Sequence, residues 1–364
     1  MYSLHQRTAR VVDVLGESPS REIVRVRFPE GEERQAINYR KINGSLLSGD
    51  KVLLNTTAVD LRLGTGGYHF VIAKVSSEKK QEPKVAKGRE KSDYGHIMKM
   101  RYTPFQVRVL SVEEKKSPYH RKIMNFRHLN SLPVVILPLH SLLAPLAISF
   151  KTCYPEKRLI YIMTEGGCLP LELSCQVDYL KQHNFLDQTI TIGQAFGGDL
   201  EAVNIFSGLA AAREAGGADL VAVGMGPGLA GTGTKLGFSG MENVFVDYAV
   251  KMLQGRSLVI PRISFAADRE RHFLISHHTI TTLQYMIGGS EVVFPENEVI
   301  VKKLRATNLS QRHHTVVVEY NKMLKILQNS SYQFESMGRT LDDDPLFFVC
   351  GSLPVLRYER LIEE

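Results

Sequence analysis

Apolar and polar positions follow two different rhythms along this chain. In the first hundred or so residues they alternate. Val24, Val26 and Phe28 fall on one face of a strand and Arg25 and Arg27 on the other, as a half-buried strand requires. Tyr68, Phe70 and Ile72 repeat the pattern, as do Phe105, Val107 and Val109. Turn signals separate these runs: Gly16, Pro29-Glu30-Gly31, Asn43-Gly44, Ser48-Gly49-Asp50 and a glycine cluster from Gly64 to Gly67. Many short strands at close spacing predict a small all-β, barrel-like domain.

From about residue 130 the rhythm changes. Short runs rich in Val, Ile and Leu, at Pro133–Leu137, Arg158–Met163, Gln188–Ile192, Leu220–Val223 and Leu258–Ile260, lack strong alternation. Strands covered on both faces read this way. Helical spacing lies between them. One helix is expected from an Asp199 N-cap through Val203, Phe206 and Ala210 to Glu214, stopped by Gly216-Gly217. Another carries Met241, Val244, Phe245, Tyr248, Ala249 and Met252 before Gly255. Five βα units predict an α/β, doubly wound and mainly parallel sheet. Past residue 290, Val316–Val318 and Phe347–Val349 are candidate strands. The expected division is a β domain over 1–128 and a Rossmann-like α/β domain over 129–364.

Charge sharpens this division. The chain has 364 residues and a formal charge of +7, from 45 Lys and Arg against 38 Asp and Glu. Residues 1–128 hold 25 basic against 14 acidic side chains, the remainder 20 against 24. The basic excess belongs to the front domain. Its polar, lysine-rich stretch 76–93 cannot bury enough apolar surface to order itself, which predicts a mobile insert. Aromatics among basic residues nearby (Tyr94, Tyr102, Phe105, Tyr119, Phe126) leave nucleic-acid stacking as a possible role beside the plainer one of barrel core and solvated loop.

Other classes are excluded by composition. Cys153, Cys168, Cys175 and Cys350 form no CxxC pair and no zinc-finger spacing, which argues against a disulfide scaffold or structural zinc. Met1–Arg7 lacks a signal-peptide core. The apolar run from Leu132 to Phe150 is broken by Pro133, Pro138, His140 and Pro145, so it reads as a buried strand and helix. A cytoplasmic protein without a membrane partner is expected.

Ligands on open α/β sheets bind beyond the carboxyl ends of the strands, and that rule sorts the loops. After the fourth strand runs a loop with Gly226, Gly228, Gly231, Thr232, Gly233, Thr234 and Lys235. Strand, glycine loop and helix in that order aim backbone N–H groups at one point, which attracts a phosphate or carboxylate. Gly226 to Gly231 matches the first half of a Walker A motif, but the Lys-Ser/Thr ending is missing. No dinucleotide fingerprint stands at the first βα turn. A tight helix–strand connection would use the same glycines.

The segment after the fifth strand gathers Asp268, Arg271 and His272, followed by His277 and His278. Asp268 and His272 are the candidate acid and base, and Arg271 the candidate anion clamp. His277 and His278 match no standard metal signature, so no metal is assigned; they are the weak candidates for one. Gly197, Gly198, Asp199 and His140 complete the candidate ligand-binding set, with N-capping and a buried hydrogen-bonded histidine as the alternatives for the last two. Cys168 follows Gly166-Gly167 near a possible helix start, with no partner base to make it a nucleophile.

Four segments carry a family resemblance: GMGPGLAGTGTKLGFSG (224–240), FAADRERHFLISHHT (265–279), FGGDLEAVNIFSGLAAARE (196–214) and LLNTTAVDLRLGTGG (53–67). Together they resemble a bacterial family of unknown function, DUF3866, over nearly the whole chain. The resemblance implies a bacterial cytoplasmic protein and carries no activity, cofactor or site residue with it. From the residues themselves, the expectation is a protein binding a small anionic metabolite of phosphorylated type at the glycine loop, with hydrolysis or group transfer the fitting chemistry. The alternative is a non-catalytic regulatory or nucleic-acid-associated protein that binds through its basic front domain. No cofactor and no oligomeric state is specified.

Overall fold

A computed structural model describes residues 4–62, 66–75, 95–102 and 105–363. The expected insert 76–93 lies outside them. The chain divides into two compact units, Met1–Lys91 and Ser92–Glu364.

The first unit is a closed five-stranded barrel. Its strands are β1 (Gln6–Glu17), β2 (Arg21–Arg27), β3 (Glu33–Tyr39), β4 (Lys51–Asn55) and β5 (His69–Lys74). They close in the order β1-β2-β3-β5-β4, with only β3 and β5 parallel. The alternation in β2 works as expected, with Val24 and Val26 fully buried among Ala9, Val11, Ala36, Val52 and Leu54. In β5 it runs the other way. His69 and Val71 point inward and Phe70 is only half-buried, because the parallel register Ala36↔His69 sets which face turns in. A one-residue choice of register exchanges the two faces of a strand. Most barrel arginines are ion-paired: Arg25 to Asp13 and Arg27 to Glu33 on neighbouring strands, Arg34 to Glu32 in the preceding turn, and Arg40 to Glu17 and Glu22.

The second unit opens with a hairpin, β6 (Ile97–Lys99) and β7 (Val107–Val109). The alternation at 105–109 therefore makes a strand of this unit and not of the barrel. Buried Lys99 anchors it, with Nζ 3.3 Å from Glu201 and donating to the Ala202 carbonyl at 3.0 Å.

The main sheet has eight parallel strands: β8 (Pro133–Ile136), β9 (Leu159–Thr164), β10 (Gln188–Thr191), β11 (Leu200–Glu201), β12 (Leu220–Met225), β13 (Arg256–Val259), and, past the short antiparallel pair β14 (Ile263–Ser264) and β15 (Leu274–Ile275), β16 (Glu291–Pro295) and β17 (His314–Val318). Their order is β11-β10-β9-β12-β8-β13-β16-β17. Every residue of β9 and β12 is buried, which explains their unbroken apolar runs. Helices Leu143–Cys153 and Asn321–Gln328 pack with the C-terminal helix Pro345–Glu363, and Cys175–Gln182 packs on Leu143–Cys153, while Ile205–Glu214, Asn243–Met252 and His277–Tyr285 form a separate layer. From β8 the chain turns toward β9; from β12 it passes to β13 on the other side of β8. With right-handed crossovers these connections lie on opposite faces, which opens a crevice at the carboxyl end of the central strands.

Three local expectations are corrected. Asp199 does not cap a helix; its carboxylate accepts from the Thr189 N–H and hydroxyl, both at 2.9 Å. Asn204 caps instead, in a reciprocal capping box with Ser207. Phe347–Val349 is not a strand. It lies in the first turns of Pro345–Glu363, where Pro at the first position favours a helix and packing on Leu143–Cys153 buries the apolar side chains. In Asn243–Met252 the buried side chains are Asn243, Val246, Asp247, Ala249 and Val250, while Phe245, Tyr248 and Met252 are exposed.

Among the described residues no helix is long and apolar enough to cross a membrane. The Leu132–Phe150 run is the expected strand and helix.

Candidate functional site

A cleft of about 750 Å³ lies at the carboxyl ends of β8, β12 and β13. The turn after β8 brings His140, and the start of the glycine loop after β12 brings Gly226 to Leu229 and Gly231. The chain after β13 brings Arg262, then Asp268, Arg269, Arg271 and His272. A second short hairpin, β18 (Glu335–Ser336) and β19 (Arg339–Thr340), adds Glu335 and Arg339 from the far end of the sequence.

Four arginines thus line one cleft with two carboxylates, Asp268 and Glu335. Arg262 is the unusual one. It is 5% exposed, and among the described residues no carboxylate comes within ion-pair distance of it. One Nη donates to the Met337 sulfur at 3.4 Å, and its buried Nε has no hydrogen-bond partner among the described residues. Burial first, then Arg339 and Arg269, push its pKa down to about 10. Buried arginines ordinarily keep a carboxylate or phosphate partner, because an unpaired buried charge costs several kcal/mol, on the order of 3–5.

The histidines are uncharged near neutral pH. Burial, then Arg262, lowers His272 to about 4. His278 falls to about 3 through burial and its two histidine neighbours, and His277 is lowered by burial and Arg271. His272 Nδ1 meets Ser276 Oγ at 2.8 Å, and that same oxygen caps the helix His277–Tyr285 by accepting from the His278 N–H. The helix start therefore turns His277 and His278 toward His272, with ring centroids 4.3–5.0 Å apart.

His140 sits in a different chain of hydrogen bonds. The Tyr161 hydroxyl donates to the carbonyls of Gly224 and Met225 at 3.1 and 3.2 Å, so it accepts from His140 Nδ1–H at 3.1 Å. His140 Nε2 then accepts from Ser174 Oγ–H at 2.6 Å, and Ser174 accepts the Val177 N–H as a helix cap. One neutral tautomer satisfies every bond. Burial holds His140 at about 4.

The glycine loop does not run straight into a helix. Gly231 pairs with Phe238, and Thr232 N–H and hydroxyl both donate to the Gly237 carbonyl. Thr234 Oγ1 accepts from Gly237 N–H, so both threonine side chains close the loop on itself. Thr232 and Gly233 border a second, shallower depression with Arg269 and Arg271. Lys235 lies 5.7 Å from the Tyr285 ring centroid and not in the main cleft. The helical segment begins only at Ser239. Of the glycines, Gly228 has a left-handed φ of +100°, and a Cβ on Gly226 would stand 2.6 Å from the Cys168 carbonyl oxygen.

The structure therefore brings together Gly226, Gly228, Gly231, Asp268, Arg271, His272, His278 and His140 around one cleft. It leaves Gly197, Gly198 and Asp199 at β10–β11, near the sheet edge, where they bond to Glu201, Thr191 and Thr189. Cys168 lies beside the glycine loop, its N–H donating to the Pro227 carbonyl. Arg262 and Arg269 belong to the carboxyl-end loop after the fifth strand but stand outside the expected site set, as do Arg339, Tyr161 and Ser174. A signal for Arg262 existed, as the one charge inside the apolar run 258–263; Arg339 arrives from a segment with no pattern to announce it.

No curated protein and no solved structure matches the chain. A family model described as Protein of unknown function (DUF3866) matches residues 35–353, and the chain belongs to that family.

Proposed function

We propose that the second unit binds a small polyanionic metabolite, of phosphorylated type, in the arginine-lined cleft. The buried guanidinium of Arg262 carries this reading: among the described residues no carboxylate is within ion-pair distance, and the more distant Asp344, which partly offsets its charge, is paired with Arg339. An anion in the cleft would supply its missing charge, and Arg269, Arg271 and Arg339 would add to the attraction. Gly226 and Gly228 let the backbone border the cleft without side chains in the way. Asp268, beside the cleft, offers a carboxylate suited to accept a proton during hydrolysis or group transfer. Thermal unfolding with a panel of inorganic phosphate, pyrophosphate, sugar phosphates and nucleotides tests the reading. At least one should raise the melting temperature of the wild type and not of Arg262→Met. Equal shifts in both proteins, or none in the wild type, would reject it.

A second reading attaches to the first unit. A five-stranded barrel closed as β1-β2-β3-β5-β4 is the arrangement of OB-type barrels, which bind oligonucleotides on their strand faces. Against a large electrostatic contribution, Arg25 and Arg27 of β2 and Arg34 of β3 are already ion-paired. Fluorescence anisotropy with single-stranded RNA separates the cases: affinity that falls steeply with salt supports this reading, and no binding at low salt removes it.

A further inference from the structure

We propose that His272, His277 and His278 hold one divalent transition-metal ion of the zinc class, with a fourth position left open. Their ligand atoms all lie within 4.8 Å of one another. Around one ion at Zn–N distances of about 2.0–2.1 Å, tetrahedral ligands stand about 3.3 Å apart, so side-chain adjustments on the order of 1 Å close the set. Three neutral-ring donors and one open position is a composition found in catalytic zinc sites; structural sites close all four.

Three further observations point the same way. His277 Nε2 is buried and has no hydrogen-bond partner among the described residues, which leaves a polar atom that an ion would satisfy. Ser276 Oγ holds His272 through Nδ1, which frees Nε2 to ligate; metal-bound histidines are commonly oriented by such a bond on the other nitrogen. His278 is stacked on Phe238, with centroids 3.8 Å apart and planes at 7°, so its ring is fixed in place. Adjacent histidines would point apart on a strand. Here they are the first two residues of a helix, and both rings come close to His272.

The surroundings choose the fourth ligand. His272 and His278 border the cleft that Arg262 and Arg271 also line. Guanidinium groups so near would repel a bare cation, and an anion bound at the open position offsets both charges. Metal and anion should therefore strengthen each other's binding by the same factor. The ligand class that fits is a small molecule with a phosphoryl or carboxylate group able to bridge the ion and an arginine. The histidine set stands on its own geometry, whatever fills the arginine cleft.

The test is titration of chelator-treated, full-length protein with Co(II), followed by its visible spectrum. The proposal predicts one ion per chain in the wild type and displacement by Zn(II). His277→Ala should weaken binding by more than about 100-fold and Ser276→Ala by about 10–100-fold, while exposed His183→Ala changes nothing. Wild-type protein that takes up no stoichiometric ion, or His277→Ala protein that binds as well, overturns it. X-ray absorption on the Zn(II)-loaded wild type needs no variant to fold: three imidazole nitrogens are expected in the first shell, and a shell without histidine is contrary. Added inorganic phosphate should change the Co(II) spectrum if the open position faces the arginines; a spectrum indifferent to phosphate counts against the bridging ligand while leaving the histidine set intact.

Discussion

Arg262 meets the sulfur of Met337 at 3.4 Å, where a buried guanidinium would ordinarily meet a carboxylate. The chain keeps a charge inside the protein at the carboxyl end of its central strands. Replacing it by an apolar residue of similar length removes a desolvation cost and keeps the volume. Arg262→Met should therefore be more stable than wild type by about 1–3 kcal/mol in ligand-free protein. Urea unfolding measures this; a clear loss of stability would mean that the guanidinium is already satisfied.

The glycines of the loop after β12 should separate by position. Gly226→Ala drives a Cβ to within 2.6 Å of the Cys168 carbonyl, so backbone must move, at a cost of about 1–3 kcal/mol. Gly228→Ala meets no atom within 4 Å but keeps a φ of +100°, costing about 1–2 kcal/mol. Gly231→Ala has its nearest neighbour at 3.7 Å and should stay within about 0.5 kcal/mol of wild type. Unfolding midpoints of the three proteins give the order directly; a Gly231→Ala protein as damaged as Gly226→Ala would contradict it.

His140 makes stability depend on pH. Its folded pKa of about 4 lies below the ordinary histidine value of 6.5. Between those values the unfolded chain binds the proton and the folded one does not, so stability is full above about pH 6.5 and falls as pH drops toward 4. Going from pH 7.5 to 5, His140 should account for a loss of about 1–2 kcal/mol. His140→Gln should show a shallower decline over that range, and an identical decline would remove His140 from the account.

The pair Lys99 and Glu201 ties the hairpin β6–β7 to the sheet edge at β11. Lys99→Met alone leaves Glu201 buried without its cation and should cost about 3–5 kcal/mol. Adding Glu201→Gln should recover part of that loss, because the uncompensated charge goes with it. A double mutant no better than the single would show that Lys99 acts by packing alone.

Much of the fold was legible because the physics is local. Buried central strands such as β9 and β12 must be apolar throughout, and runs of that kind mark themselves. The glycine loop and the Asp268–His278 segment were found by the carboxyl-end rule, and both reach the cleft. What escaped depended on distant partners. Asp199 resembles a helix cap until Thr189 takes its carboxylate. His69 and Val71 could be told from Phe70 and Ile72 only by the register with β3. Arg339 reaches the site through a hairpin of two-residue strands, too short for any periodicity. Phe347–Val349 shows an apolar run that suits either a strand or a buried helix, and packing decided it.

The most direct test of the anion cleft is isothermal titration of wild-type and Arg262→Met protein with inorganic pyrophosphate at constant moderate salt. The cleft predicts a saturable single site in the wild type and an affinity at least about tenfold lower in Arg262→Met, the loss of a charge-assisted hydrogen bond worth about 1.5–3 kcal/mol. Equal affinities in the two proteins would contradict it.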